Sequence, residues 1–232
     1  MKKLILTIAL FLLMSQSFAQ YKPVLFGLKV GSNIGWIKPD TEEYESEGVK
    51  MGFTWGFIGE FFFMENYALL TGFNMNFNGG KLEYPTIMDV PEGDTTMTVS
   101  GQLHRQYHLK YIQIPLCLKM QTDLSEKITI FGKIGIGTAF NLNAKGTDDF
   151  VYEGGEITKD KADIDDEIAL MRESLIVGGG VEWKIKGSTA IIVDLTYDNA
   201  FNNMLTGNNP AMPGTEPQAI HNFVELGAGI VF

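Results

Sequence analysis

Eight stretches of this chain alternate apolar and polar residues with period two: 24–37, 51–63, 67–78, 105–120, 127–142, 174–186, 189–201 and 220–232. Each is a dozen residues or more, against the five or six usual for a globular strand. Three connections are short: Met64-Glu65-Asn66, 121–126 and Gly187-Ser188. The other four, 38–50, 79–104, 143–173 and 202–219, are long and acidic or rich in Gly, Asn and Pro. Long and short connections alternate strictly, so an antiparallel meander puts every short turn at one end and every long loop at the other. Transmembrane barrels of the outer-membrane type share this asymmetry. A faint helical periodicity, in 163–173, falls inside one of the long loops. The fold class expected is all-β: an eight-stranded antiparallel up-and-down transmembrane β-barrel.

The composition of the two faces decides which one meets lipid. In the first strand Val24, Phe26, Leu28, Val30, Ile34 and Trp36 oppose Gly27, Lys29, Gly31, Asn33 and Gly35. In the fifth, Ile128, Ile130, Ile134, Ile136, Phe140 and Leu142 oppose Thr129, Lys133, Gly135, Gly137 and Asn141. A soluble barrel would turn the large side chains inward and show water a face made mostly of glycine, too poor in charge for a soluble surface. The inverted arrangement fits: large apolar groups meet lipid, and small groups fill an interior with little more room than side chains need. About 13 residues at ~3.3 Å, tilted by ~40°, rise roughly 33 Å, enough to cross a membrane. A small polar side chain at Gly135 is therefore expected to be mild.

On this register Lys29, Lys119, Lys133 and Lys184 point inward with Glu60, Glu182, Asp194 and Glu225. Unpaired charges in a narrow lumen are very costly, so these eight are expected to pair and plug the barrel.

The N-terminus reads as a secretory signal peptide over 1–19: a basic Met1-Lys2-Lys3 start, an apolar run from Leu4 to Met14, and Ser17-Phe18-Ala19 before a cleavage point after Ala19. The barrel domain is then 20–232. Without Lys2 and Lys3, 16 basic residues face 28 acidic ones, a net charge of −12, which excludes a nucleic-acid surface. Cys117 is the sole cysteine, so no internal disulfide forms. The localisation expected is the cell outer membrane, as a monomeric barrel whose partner is outer-membrane lipid, with other envelope proteins reached through the external loops.

The stretch YIQIPLCLK, residues 111–119, carries a proline in mid-strand. A closed barrel has no edge, so Pro115 is expected at a bulge or another local defect of the ladder. Tyr111, Ile114, Pro115, Leu116, Leu118 and Lys119 of this stretch resemble a signature strand of the PorT-like outer-membrane β-barrel proteins of Bacteroidetes. The first strand, GLKVGSNIGW, resembles that family's opening strand, and the C-terminal strand ending at Phe232 is similar to the terminal signal of outer-membrane barrels. The resemblance implies an eight-stranded outer-membrane barrel. Some relatives serve type IX secretion and gliding machinery, a role the broad family does not imply.

Catalysis is not expected. His104 and His108 precede the fourth strand and His221 opens the eighth, but His104-Arg-Gln-Tyr-His108 lacks the glutamate of a His-Glu-x-x-His site, and i,i+4 spacing on a strand does not converge two ligands. Gly132-x-x-Gly135-x-Gly137 and Gly178-Gly179-Gly180 open no helix and are barrel glycines rather than phosphate loops. Asp163-x-Asp165-Asp166-Glu167 lacks the glycine and spacing of a calcium loop. No cofactor and no metal site are expected. The function expected is structural or interaction-based, through the acidic external loops. The alternatives are an accessory subunit of type IX machinery and a lipid-modifying enzyme.

Overall fold

The computed structural model describes residues 24–93 and 95–232; the expected signal peptide and its cleavage point lie outside them. Among the described residues nine strands form: β1 Val24–Pro39, β2 Glu45–Met64, β3 Tyr67–Glu92, β4 Thr95–Asp123, β5 Ile128–Tyr152, β6 Gly155–Asp163, β7 Met171–Lys186, β8 Thr189–Ala200 and β9 Ala219–Val231. All pairings are antiparallel. β1 pairs with both β2 and β9, and β4 pairs with β5, so eight strands close into a ring in the order β1-β2-β3-β4-β5-β7-β8-β9. β6 stands outside the ring and pairs with the upper half of β5. The three short turns, with Val24 and Phe232, lie at one end.

The outward face in the lower part of the ring is apolar and exposed: Leu28 and Val30 on β1, Ile114, Leu116 and Leu118 on β4, Ile134 and Ile136 on β5, Val193 and Leu195 on β8, Leu226 and Ile230 on β9. Most inward neighbours are small or polar, as the alternation predicts, but Ile58, Phe131, Ile192 and Val231 also point inward and form a small apolar cluster inside the ring.

The long connections differ from the expectation. Three of the four are largely strand. The β3–β4 ladder continues without a break of register to Glu92↔Thr95, β2 begins at Glu45, and β5 runs on to Tyr152 before turning back as β6. β4, at 29 residues, rises roughly 70 Å at the usual spacing and tilt, about twice what hydrocarbon requires. The residues 163–173 hold one short 3-10 turn, Asp165–Glu167. These segments escape a lipid-based reading because their alternation has the opposite polarity. On β4, Ile112, Ile114, Leu116, Leu118 and Met120 point out, and above them Lys110, His108, Gln106 and His104 occupy the same face. There Leu103, Tyr107 and Leu109 are buried instead. They join Tyr44, Leu82, Tyr84, Phe150, Ile164, Ile168, Met204 and Leu205 in an apolar core outside the membrane. The fourth connection is irregular, yet it is sewn into that core by the Ile168↔Leu205 bridge and by Met204 N donating to Ala219 O at 2.8 Å.

Pro115 sits at a defect of the ladder but not at a bulge. β3–β4 pairing stops at Leu70↔Cys117 and resumes in the same register at Asn74↔Gln113. Gly72 lies opposite the proline and has φ +139, a left-handed value that glycine adopts without strain. On the other side Pro115 pairs with Gly137 in an unbroken β4–β5 register. The nearby bulge is at Leu142, an extra residue between Asn141↔Tyr111 and Asn143↔Lys110. It switches the inward positions of β5 from odd to even numbers, which brings Asp148 inside.

Gly135 does not tolerate a side chain as expected. A Cβ there would stand 2.1 Å from Leu116 O and 2.4 Å from Cys117 Cα, so the close approach of β4 and β5 excludes it. Ile134, next to it, is exposed outward. We expect Ile134→Arg to lower stability by about 2–4 kcal/mol in denaturant titrations of protein refolded into lipid vesicles. A loss within ~0.5 kcal/mol, the range of neutral surface changes, would mean that this face does not contact hydrocarbon.

Candidate functional site

The lumen carries charge in successive layers. Nearest the short-turn end, Lys119 is 0% exposed. Its ammonium donates to both Glu60 oxygens at 2.7 Å and to a Glu182 oxygen. The same ammonium lies 4.8 Å from the centre of the Phe131 ring, a cation–π contact of the kind that gains weight where water is excluded. Strands β2, β4 and β7 are thus tied across the interior.

In the next layer Lys133 Nζ donates to Asp194 Oδ2 at 2.5 Å, and Thr196 Oγ1 donates to the same oxygen at 3.0 Å. Lys29 Nζ donates to Glu225 Oε1 at 2.6 Å. Glycines make the room: a Cβ at Gly227 would stand 2.3 Å from Asp194 Oδ1, and one at Gly178 would stand 2.9 Å from Lys133 Cε. The cavity among these side chains is about 40 Å³, room for a few waters.

Above it, Asp198 accepts from Arg172 Nη2 at 2.6 Å and from Gln113 Nε2 at 2.7 Å. Asn76 Nδ2 donates to Gln113 Oε1 at 3.2 Å, and Arg172 also donates to His221 O at 2.8 Å.

The layer outside the membrane is built around Arg105. Its guanidinium grips Asp148 in a fork, Nε to Oδ1 at 2.6 Å and Nη2 to Oδ2 at 2.8 Å, and also donates to Glu167. Burial works against the charge of Arg105, but the Asp148 fork outweighs it and keeps the guanidinium protonated. Tyr44 and Tyr84 stack with ring centres 4.5 Å apart, and Asn209 Nδ2 donates to Tyr44 Oη at 2.9 Å. These rings, with Arg105, Tyr107, Glu167 and Asn209, line a second cavity of about 370 Å³.

Residues 14–206 match the outer membrane protein beta-barrel domain. The chain belongs to that family. Membership places the barrel in the outer membrane, consistent with its outward apolar band. Among solved structures it is similar to Ail, the attachment invasion locus protein of Yersinia pestis, at 13% identity, covering 90% of this chain and 98% of that one with a TM-score of 0.37. Neisserial surface protein A is similar at 11% identity, with coverage of 89% and 95% and a TM-score of 0.48. The outer membrane protease OmpT from Escherichia coli is similar at 7% identity, with coverage of 92% and 98% and a TM-score of 0.40. No curated protein matches this chain.

Of the residues read from sequence as lumen charges, Lys29, Glu60, Lys119, Lys133, Glu182, Asp194 and Glu225 face the interior in ion pairs. Lys184 shares their side of the strand but sits at the rim, half exposed, and donates to Asp123 at 2.8 Å. That contact and the Thr129 hydroxyl hold the Asp123 carboxyl below its ordinary range. In the 111–119 stretch Tyr111, Pro115 and Lys119 face in, while Ile114, Leu116 and Leu118 face out. Sequence reasoning missed Arg172, which fell in a supposed loop one residue inside the start of β7. It also missed Asp198, although period two from Asp194 points to it. The histidines do not converge. His221 is buried in the lumen, its Nε2 3.2 Å from Gly79 O, while His108 lies 3.2 Å from Thr147 Oγ1 on the outer face.

Two outcomes follow from this geometry. Lys133→Met strands Asp194 in the interior and should cost about 3–5 kcal/mol in urea unfolding. Adding Asp194→Asn should recover part of that loss; additive effects would mean the two groups do not interact. Burial pushes the Tyr107 hydroxyl up to about 12 from its ordinary 10, although Arg105 pulls the other way. The unfolded chain therefore ionises first, and stability should fall as pH rises from 10 towards 12. Phenolate absorbance of Tyr107→Phe should lack one group that ionises near pH 12, whereas loss of a group ionising near 10 would refute the buried setting.

Proposed function

We propose that this protein is a non-conducting, non-enzymatic outer-membrane barrel with a structural or interaction role. The lumen observation carries the reading. The charged layers leave a cavity of only about 40 Å³, and an apolar core covers the external mouth. Arg105, Asp148 and Glu167 lock that cover to the barrel wall. What faces the medium is an acidic strand extension with one irregular connection, between β8 and β9, a surface suited to contact with other envelope components. The non-enzymatic part is supported by the dispersal of His104, His108 and His221 over two faces of the wall. Alanine substitution of each of them should leave lipid A unmodified to the same extent as the unaltered protein.

The finer assignment to the PorT-like barrels of Bacteroidetes rests on residues 111–119 and on the first strand. An accessory place in type IX machinery would rest on that resemblance and would appear as partner proteins co-purifying from native membranes.

The decisive measurement is planar-bilayer recording of the refolded protein. We expect no stable single-channel steps. Reproducible steps on the nanosiemens scale would require an open path through the charged layers and would overturn the plugged-lumen reading.

A further inference from the structure

Sequence spacing disfavours a metal at His104 and His108, but folding brings different partners to His104. Glu47 on β2, Glu83 on β3 and His104 on β4 meet on the outer face of the extension, one donor from each of three adjacent strands. His104 Nδ1 is 2.9 Å from Glu47 Oε1 and 3.8 Å from Glu83 Oε2, and the three donor atoms lie within 4.8 Å of one another. Donors on a zinc ion with bonds near 2.0–2.2 Å stand about 3.4 Å apart in tetrahedral geometry, so the cluster needs little movement to close on one ion.

Two backbone features assemble this group. Glu83 pairs directly with His104 across the β3–β4 ladder. Glu47 is the extra residue of a bulge between Ser46↔Leu82 and Gly48↔Lys81, with Gly48 at φ +139. Bulges commonly re-aim a side chain, and here the bulge brings Glu47 over His104.

The charge around the cluster is unbalanced. Glu45 stands directly opposite Glu83, and like charges directly opposed on a sheet destabilise it; a further carboxylate, Asp149, stands opposite His104. Among the described residues neither Glu47 nor Glu83 has a lysine or arginine ion pair. One imidazole and two carboxylates form a donor set that suits borderline first-row divalent ions, and three protein donors leave a position open to solvent.

We propose that Glu47, Glu83 and His104 form a site for a divalent transition-metal cation that clamps β2, β3 and β4 outside the membrane. The proposal is independent of whether the lumen conducts. Its test is equilibrium dialysis of the refolded full barrel against Zn²⁺ after removal of metal, with heat-modifiable gel mobility as the check that each variant has folded. The unaltered protein should bind one Zn²⁺ per chain. His104→Ala and Glu83→Gln should each weaken binding by about 10-fold or more, the scale on which even outer partners of a metal act. His108→Ala, four residues along the same strand and on the same face, should bind as the unaltered protein does. Absence of bound Zn²⁺ in the unaltered protein, undiminished binding by folded His104→Ala, or equal loss in His108→Ala would each overturn the site.

Discussion

Hydrocarbon offers no partner to a backbone N–H or C=O, so a sheet that crosses it must have no edge. The β1–β9 ladder, Gly27↔Val231 to Pro39↔Ala219, and the β4–β5 ladder meet that condition. Much else follows from closing eight strands. The ring is narrow, so inward positions fall to glycine wherever two strands approach or a long side chain needs space, as at Gly135 beside Leu116 and Gly227 beside Asp194. The exterior has no such limit and carries the bulk of the chain's large apolar side chains.

Outside the membrane the same strands meet water, and the logic of their faces reverses. Arg105, Tyr107 and Leu109 point the same way as Gln113, Cys117 and Lys119, yet they belong to a compact core rather than a polar lumen. The β5 bulge at Leu142 lies close to that change of solvent. By resetting the face of β5 it delivers Asp148 to Arg105 and leaves Asp149 outside. The strand extension is thus a small globular layer continuous with the barrel, capped by the 3-10 turn and the segment before β9.

The membrane-spanning half was legible in the chain because one periodicity served both to define strands and to assign faces. Lys119, Glu60 and Glu182 could be placed together by counting in twos, though which carboxylate would meet which lysine could not. The external half was hidden by its own physics. Its alternation is apolar-in, its segments are broken by Pro85, Pro91 and Gly101, and its acidic composition imitates loop. Arg172 was lost to a boundary error of this kind. The Leu142 bulge was lost because a single extra residue leaves no mark on composition. Glu47 and Glu83 were separated from His104 by both difficulties, since a bulge and an inverted strand register are needed to bring them together.

The charged lumen raises the question of why these positions are not simply apolar, since well-packed hydrophobic groups often match or exceed buried ion pairs in stability. Specificity supplies an answer. A strand apolar on both faces has weak register, because a slip of one residue changes little. In β5 the same slip would exchange Lys133 with Ile134 and put a lysine against lipid, at a cost of about 2–4 kcal/mol near the midplane. It would also strip Asp194 of its partner. The contacts reach beyond neighbouring strands: Lys119 joins β4 to β2 and β7, Lys133 joins β5 to β8, and Gln113 joins β4 to β8. Backbone ladders align each strand with its neighbour, whereas these side chains align strands across the lumen. A slip in one strand therefore breaks contacts with walls that the ladders alone do not connect, and the correctly registered ring is separated from its near relatives by several such penalties at once.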